Sequence, residues 1–392
     1  MTITALPFFE ARHRALAARI EAFAREVVEP RAAAAETGDA VAHGADFLRE
    51  AARHGVLSVF AGGGATVEGA GPDLRGLCLA RDLIASRSAF ADAVLAVQGL
   101  ATFPIAGSDA APLRERYLPA AARGEAVGAF ALTEANAGSD PAALETTAVR
   151  DGDGYRLSGR KTLISSVGLA TFYVVFGRTD PSAGRRGLSA FVVDADAPGV
   201  RVVRQIDLMA PHPIGELAFE DCRVAATPRI GREGDGLKVA LTTLDFFRSS
   251  VGAAACGLAQ RALDEAVSYA RERRQFGSAL ADFQMTRAAI ADMATELDAA
   301  RLLVYRAAWT RDSGAPRGTR EASMAKLFAT EAAQRIIDHA VQIHGGLGVQ
   351  RGVVVERLYR EVRAMRIYEG TSEVQRLVIA DHVLAARGPD GA

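Results

Sequence analysis

The chain has 392 residues, 49% of them hydrophobic, with 46 Lys plus Arg against 47 Asp plus Glu. At ~150 residues per domain, that length supplies two or three domains with enough apolar content for substantial cores. A net charge near zero gives no basic footprint for nucleic acid and no acidic solvating tail, which favours small or locally charged ligands.

Cys78, Cys222 and Cys256 are scattered, with no CxxC pair and no nearby His cluster. They read as buried small residues in a reducing compartment, with no metal site. Glu10, Arg12 and His13 precede any apolar run, so the N-terminus lacks a signal-peptide pattern, and no segment holds 18 consecutive apolar residues. The expectation is a cytoplasmic protein with no membrane span.

Leu16, Ile20, Phe23 and Val27 recur at steps of four, three and four, which predicts a helix over Glu10 to Glu29 that Pro30 terminates. Further helices follow to about Ala122. The glycine cluster from Ala61 to Gly71 lacks the Gly-Lys-Ser/Thr ending of a phosphate-cradling loop and reads as a connecting loop. From about Glu125 to Arg232 the texture becomes short β-rich runs, such as Phe172 to Phe176 and Leu188 to Val193, with a turn signal at Asp151-Gly152-Asp153-Gly154.

Beyond Gly236 the helical period returns, in Leu244, Phe247, Val251, Ala254 and Leu258 and again in Ile290, Met293, Leu297, Ala300 and Val304. Long helices with such stripes imply a bundle. The expected fold is α+β: an N-terminal helical domain over 1–124, a middle β-barrel or sandwich domain over 125–232, and a C-terminal four-helix bundle over 233–392. No βαβ alternation or well-placed GxGxxG supports a doubly wound nucleotide fold.

Leu132-Thr133-Glu134 falls at the end of a strand and enters a small-residue loop that can approach a planar heteroaromatic ring, although a plain turn explains it equally well. Glu369 stands in Tyr368-Glu369-Gly370-Thr371, just before a capping-box pattern at Ser372-Glu373-Val374-Gln375. Taken alone, such a glutamate is usually a solvated turn residue.

Three separated strings meet in one chain: FALTEANAGSD at Phe130 to Asp140, VQIHGGLG at Val341 to Gly348 and IYEGTSEVQR at Ile367 to Arg376. Together with GLAQRALDEAVSYARERRQFG at Gly257 to Gly277, they resemble the acyl-CoA dehydrogenase family, in domain order across essentially the whole chain. The resemblance implies FAD as cofactor. Phe130, Leu132, Thr133 and Ser139 would contact the flavin, Ser139 also lying near the thioester. Leu163 and Ser165, after the Gly159-Arg160-Lys161 element, would face it from a second strand.

Relatives commonly carry an aromatic at the Leu163 position, Thr at Ser165 and Asn at Ser166, so this chain departs there. It departs again at Met209-Ala210-Pro211-His212-Pro213, where relatives show a Gly-x-Arg/Lys-x-Ser texture. Arg273, Phe276 and Gln284 match positions that reach the FAD of a neighbouring subunit, and Gln342, Gly345 and Gly346 match the adenine side. Thr371 and Glu373 complete the implied FAD contacts. By charge pattern alone, Arg273 and Arg274 are a solvated basic helix end.

The resemblance assigns Glu369 as the base that removes the α-proton of an acyl-CoA thioester. Its own N–H and a flavin ribityl hydroxyl would hold the enolate oxygen while the β-hydride passes to flavin N5, giving a trans-2-enoyl-CoA. Some relatives place the base near Phe247, and phenylalanine removes no proton. Asp245 and Arg248 match the substrate helix near CoA, with Tyr368 and Gly370 beside the thioester. Phe247 is either an ordinary core aromatic or a wall that narrows the acyl pocket toward short, branched or cyclic groups.

An electron-transferring flavoprotein is the implied electron acceptor, and a homotetramer the implied assembly. The alternatives are a flavin-dependent oxidase on the same scaffold, or a non-catalytic flavin- or ligand-binding relative.

Overall fold

The computed structural model describes residues 3–61, 72–225, 229–314 and 318–385. Apart from Ala61, the glycine cluster read as a loop lies outside these residues. Seven helices come first: α1 (Ala11–Phe23), α2 (Glu29–Ala32), α3 (Ala40–Arg53), α4 (Leu57–Phe60), α5 (Leu74–Ala85), α6 (Ala89–Ala106) and α7 (Ala111–Ala122).

Ile20, Phe23 and Val27 are buried as their spacing requires, but Pro30 does not end the helical run. A π-helical stretch, Ala24–Val28, follows α1 and hands the chain to α2, where Pro30 occupies the first turn. There the amide hydrogen that proline lacks is not needed. Helix α6 is long and apolar enough by composition to cross a membrane, but most of it is buried inside the fold.

Eight strands form one sheet: β1 (Gly128–Ala131), β2 (Thr147–Asp151), β3 (Gly154–Ser165), β4 (Phe172–Arg178), β5 (Leu188–Asp194), β6 (Val200–Gln205), β7 (Ile214–Ala225) and β8 (Arg229–Ile230). Their order is β6-β7-β3-β2-β4-β5-β8, with β1 parallel to β4. The Asp151 to Gly154 signal closes the β2–β3 hairpin, with Gly152 in the left-handed region.

Strand β4 runs without a charged residue from Phe172 to Gly177, all of them buried, because both of its faces are covered there. Phe172, Val174 and Phe176 join helix residues Ile105, Leu113 and Tyr117 in one cluster. Tyr173 and Val175 point the other way, into a cluster with Leu157, Leu217 and Phe219. Burying each such large side chain is worth about 1.5–3 kcal/mol, so the double-sided core holds β4 in register with β1 and β5.

The remaining elements are α8 (Gly236–Glu272), a short hairpin of β9 (Arg274–Gln275) and β10 (Ser278–Ala279), α9 (Gln284–Asp312), α10 (Thr319–His344), α11 (Val354–Met365) and α12 (Ser372–Ala385). The architecture is therefore a helical N-terminal part, a β-sheet middle part and a helical C-terminal part.

By contacts the chain forms two compact units. One comprises Met1–Ala33, Leu74–Asp92 and Asp245–Ala392; the other comprises Ala34–Asp73 and Ala93–Leu244. In the first, α5 lies against α1 and α9, and α10 packs along α9, α11 and α12. Gly257 of α8 sits so close to α5 that a Cβ there would stand 2.1 Å from the Asp82 carbonyl oxygen. The Asp82 carboxylate is gripped by Arg301 Nη2 at 3.0 Å and by the Tyr305 hydroxyl at 3.0 Å. Cys78 and Cys256 of this unit are buried, as is Cys222 of the other.

Candidate active site

Glu369 occupies the turn between α11 and α12, with φ at +53°, followed by Gly370 at +94°. A non-glycine residue held there costs on the order of 1 kcal/mol and persists only where its surroundings dictate it. They do so through the backbone. Lys326 Nζ donates to the Gly370 carbonyl at 2.7 Å, and Gln375 Nε2 donates to the carbonyls of Gly370 and Glu369 at 3.0 and 3.3 Å. Arg248 Nε reaches the Glu369 carbonyl at 3.5 Å.

Gly370, at φ +94°, holds a backbone conformation that other residues rarely adopt, and a Cβ there would also lie 2.5 Å from Gln375 Nε2. Helix α12 opens as expected, but the capping residue is Thr371 and not Ser372. Thr371 Oγ1 accepts from the Val374 amide at 3.3 Å, while the Ser372 hydroxyl is drawn away to Glu331 at 2.6 Å.

The Glu369 side chain itself is left free. Its Oε2 is buried and has no hydrogen-bond partner among the described residues. Burial raises its pKa above the ordinary carboxylate value, and the charges of Arg81, Lys326 and Arg248 oppose that rise. A carboxylate with one buried, unused oxygen and three cations acting on it is chemically able to accept a proton.

Arg81 and Asp92 are charges that act on Glu369 and were not foreseen from sequence. Arg81 Nη2 donates to Asp92 Oδ2 at 2.7 Å, Nε to Oδ1 at 3.0 Å, and Nη1 to the Ser250 hydroxyl at 2.9 Å. Burial opposes the Arg81 charge, and Asp92 more than offsets this. Lys326 is fully buried and its pKa is lowered to about 8 by burial, with Glu369 pulling the other way. Asp245 binds Arg248 Nη1 on α8 and accepts from the Thr319 hydroxyl at 2.8 Å. The same unit thus gathers Asp245, Arg248, Tyr368, Glu369, Gly370 and Thr371, with Glu373 exposed on the first turn of α12.

Phe247 is fully buried, its ring edge-on to Phe246 at 5.5 Å between centroids. Arg273 is exposed at the end of α8. Phe276 forms the tip of the β9–β10 hairpin, 96% exposed with φ at +51°. Gln284 is exposed at the start of α9, and Gln342, Gly345 and Gly346 are exposed at the end of α10.

The sheet unit assembles the other group. Buried Lys161 donates to Glu134 Oε1 at 2.7 Å and to the Leu132 carbonyl at 3.2 Å, and the Thr162 amide donates to the Thr133 carbonyl at 3.0 Å. The two strings quoted as flavin strands are therefore bonded side by side. Phe130 is buried, its ring packed on Phe176 at 4.9 Å. Leu132 and Thr133 are half-buried, and Ser139 is exposed in the loop beyond.

Leu163 is 50% exposed with φ at +54°, and Ser166 follows at +64°. An apolar side chain held outward on a strained backbone, with half-exposed hydroxyls of Thr133 and Ser165 on the same bonded strands, fits a planar ring with apolar faces and polar edges.

Three buried charges carry a signal that sequence reading missed. Arg81 follows Leu77 and Cys78 on the apolar stripe of α5, and Lys326 falls between Ala322 and Thr330 on the buried stripe of α10. Lys161 interrupts the inward side of β3 between Leu157 and Ile164. A charge at a stripe position marks a paired interior group.

Three family profiles match the chain: "Acyl-CoA dehydrogenase, N-terminal domain" over residues 10–125, "middle domain" over 129–222 and "C-terminal domain" over 234–384. The 3-(aryl)acrylate reductase of Clostridium sporogenes is 40% identical over 384 residues, covering 96% of this chain and 100% of that protein. The caffeyl-CoA reductase-Etf complex subunit CarC of Acetobacterium woodii is 46% identical over 277 residues, covering 69% and 72%. Butyryl-CoA dehydrogenase from Megasphaera elsdenii shares the fold at a TM-score of 0.89 with 32% identity, covering 96% and 99%. Solved structures of this fold include FAD complexes. The chain belongs to the acyl-CoA dehydrogenase family, whose members are FAD-dependent oxidoreductases acting on a CH–CH bond.

Proposed function

We propose that this protein dehydrogenates an acyl-CoA thioester between Cα and Cβ, with Glu369 as the base that takes the α-proton. The observation that carries the reading is the buried, unpartnered Oε2 of Glu369 on a turn whose backbone is held from three sides. A thioester α-proton is weakly acidic, and its removal needs a positioned base and donors for the developing enolate oxygen. The N–H of Glu369 makes no hydrogen bond among the described residues, which leaves it available as one such donor. Arg81, Lys326 and Arg248 favour the ionised carboxylate that the step requires.

FAD, when bound, supplies the acceptor for the β-hydride. Leu132, Thr133, Ser139, Leu163 and Ser165 would hold it from the sheet, with Phe130 through its backbone. Arg273, Phe276 and Gln284 would complete a neighbour's site in a homotetramer, and Gln342, Gly345 and Gly346 would meet the adenine side of FAD. A phenylalanine 96% exposed on a strained hairpin tip supports a partner surface there.

Asp245, Arg248, Tyr368 and Gly370 would border the substrate. Phe247 supplies no carboxylate on α8, which supports Glu369 as the base, and its bulk favours short, branched or cyclic acyl groups. An electron-transferring flavoprotein is the proposed electron acceptor, in keeping with the name of the Acetobacterium relative. A second reading, saturation of an enoyl thioester, is favoured by the reductase names of two relatives; proton transfer at Glu369 then runs in reverse.

Anaerobic addition of short, branched, cyclic and long acyl-CoAs to the purified flavoprotein tests the proposal. Flavin bleaching by one acyl class in wild type, and none in Glu369→Gln, is the expected result. Bound flavin that no acyl-CoA bleaches and no enoyl-CoA reoxidises would overturn it.

A further inference from the structure

We propose that His212 is a positioning residue that fixes the Ser165 hydroxyl for contact with the flavin; this rests on the reading of Ser165 as a flavin-facing residue given above. His212 Nε2 lies 2.8 Å from Ser165 Oγ. The pairing is built into the backbone. Ser165 stands opposite Ile214 in the β3–β7 register, and the Ser166 amide donates to the Pro213 carbonyl at 2.6 Å. The Ile206 amide donates to the Ile214 carbonyl at 2.9 Å from the other side.

Pro211 and Pro213 flank His212, and each removes a backbone freedom; Pro213 also biases His212 itself toward an extended conformation. The imidazole is therefore delivered to Oγ by a stiff segment anchored on both edges.

Enclosure pushes the His212 pKa down to about 4, and no charged neighbour contributes to that shift. The ring is therefore neutral at neutral pH. A neutral imidazole nitrogen acts as donor in one tautomer and acceptor in the other. With Nε2 donating, Ser165 keeps its own hydrogen for an acceptor on the ring. With Nε2 accepting, the Oγ lone pairs are left for a donor on the ring. An isoalloxazine offers acceptor nitrogens when oxidised and gains an N–H when reduced by two electrons, so one Ser–His pair complements both states. A solitary serine would rotate among three wells and be fixed in neither.

The test compares wild type, Ser165→Ala, His212→Ala, His212→Gln and the Ser165→Ala/His212→Ala double variant, each isolated with its flavin. The oxidised-flavin absorption band, the midpoint potential and the flavin dissociation constant are measured. His212→Ala is expected to change band and potential in the same direction as Ser165→Ala. It should weaken flavin binding about 5-fold, the equivalent of one hydrogen bond. It should add nothing in the double variant, and His212→Gln, which can still hold Oγ, should largely restore the wild-type values.

A potential and band unchanged in His212→Ala but shifted in Ser165→Ala would sink the role of His212 and leave the flavin reading standing. If neither substitution changes them while flavin remains bound, Ser165 does not face the flavin and the proposal falls with it. Should His212→Ala lose its flavin, His212→Gln carries the comparison: wild-type-like values support the proposal, and values matching Ser165→Ala refute it.

Discussion

Arg81 holds Asp92 through two nitrogens, both side chains being 2% exposed, in the unit that carries Glu369. The two exert opposite effects on the base: the Arg81 charge lowers the Glu369 pKa and the Asp92 charge raises it. On the proposed reading, in which Glu369 takes the α-proton as a carboxylate, the acid limb of the kcat/KM profile should move to higher pH in Arg81→Gln and to lower pH in Asp92→Asn. Profiles that stay superimposed would show that the pair is structural only. Asp92→Asn strands a buried guanidinium and should also cost about 3–5 kcal/mol of stability.

Replacing Glu369 with Gln should lower kcat by about 10²–10⁴-fold, the usual worth of a general base. The same change should stabilise the protein. Burial raises the folded-state pKa, so between the ordinary and the raised value the folded chain binds more protons than the unfolded one. Stability is therefore lost as pH rises through that window, and the loss persists at all higher pH. Thermal melts at pH 8 should place Glu369→Gln a few degrees above wild type, and the gap should close once the carboxyl is protonated in both states. A lower melting temperature at pH 8 would contradict the account.

Gly257→Ala puts a methyl group 2.1 Å from the Asp82 carbonyl oxygen, where α8 meets α5. Backbone cannot yield as a flexible side chain does, so the helices must separate. The expected cost is about 1–3 kcal/mol, read as a melting temperature lower by several degrees. A variant as stable as wild type would mean that the helices slide apart freely.

Phe247→Ala should cost about 3–5 kcal/mol as a buried aromatic truncation. If the ring also walls the acyl pocket, the preferred acyl chain should lengthen. Lost stability with an unchanged ranking across a chain-length series would identify Phe247 as core alone.

Sequence patterning located β4 and β5 because two-sided burial leaves runs rich in apolar residues and free of charge, and it located α8 and α9 through their stripes. It misjudged Pro30, since proline disrupts a helix only where its amide is needed, and the π stretch at Ala24–Val28 has no period of its own to betray it. The cap at Thr371 was placed one residue late because Ser372 is an equally good capping type; the competitor that removes it, Glu331, lies on another helix.

Glu369 could be singled out only through the string around it. Its electrostatic partners Arg81, Asp92 and Lys326 come from distant segments that no local pattern joins, although each charge stands at a position where an apolar residue belongs. His212 could be seen as a departure, but its partner Ser165 emerges only from the β3–β7 register.

The turn that bears Glu369 is gripped through carbonyl groups, while the carboxylate that it carries has an idle oxygen. Mount and tool are thus separable. Lys326, Arg248 and Gln375 would hold the same loop whatever acid stood at its tip, so a shorter head such as aspartate would be presented on the same axis but withdrawn by about one methylene, roughly 1.5 Å. Under the proposed role of Glu369, reach rather than acidity then becomes its adjustable property, and a one-carbon change becomes a ruler for how closely the proposed thioester must approach it.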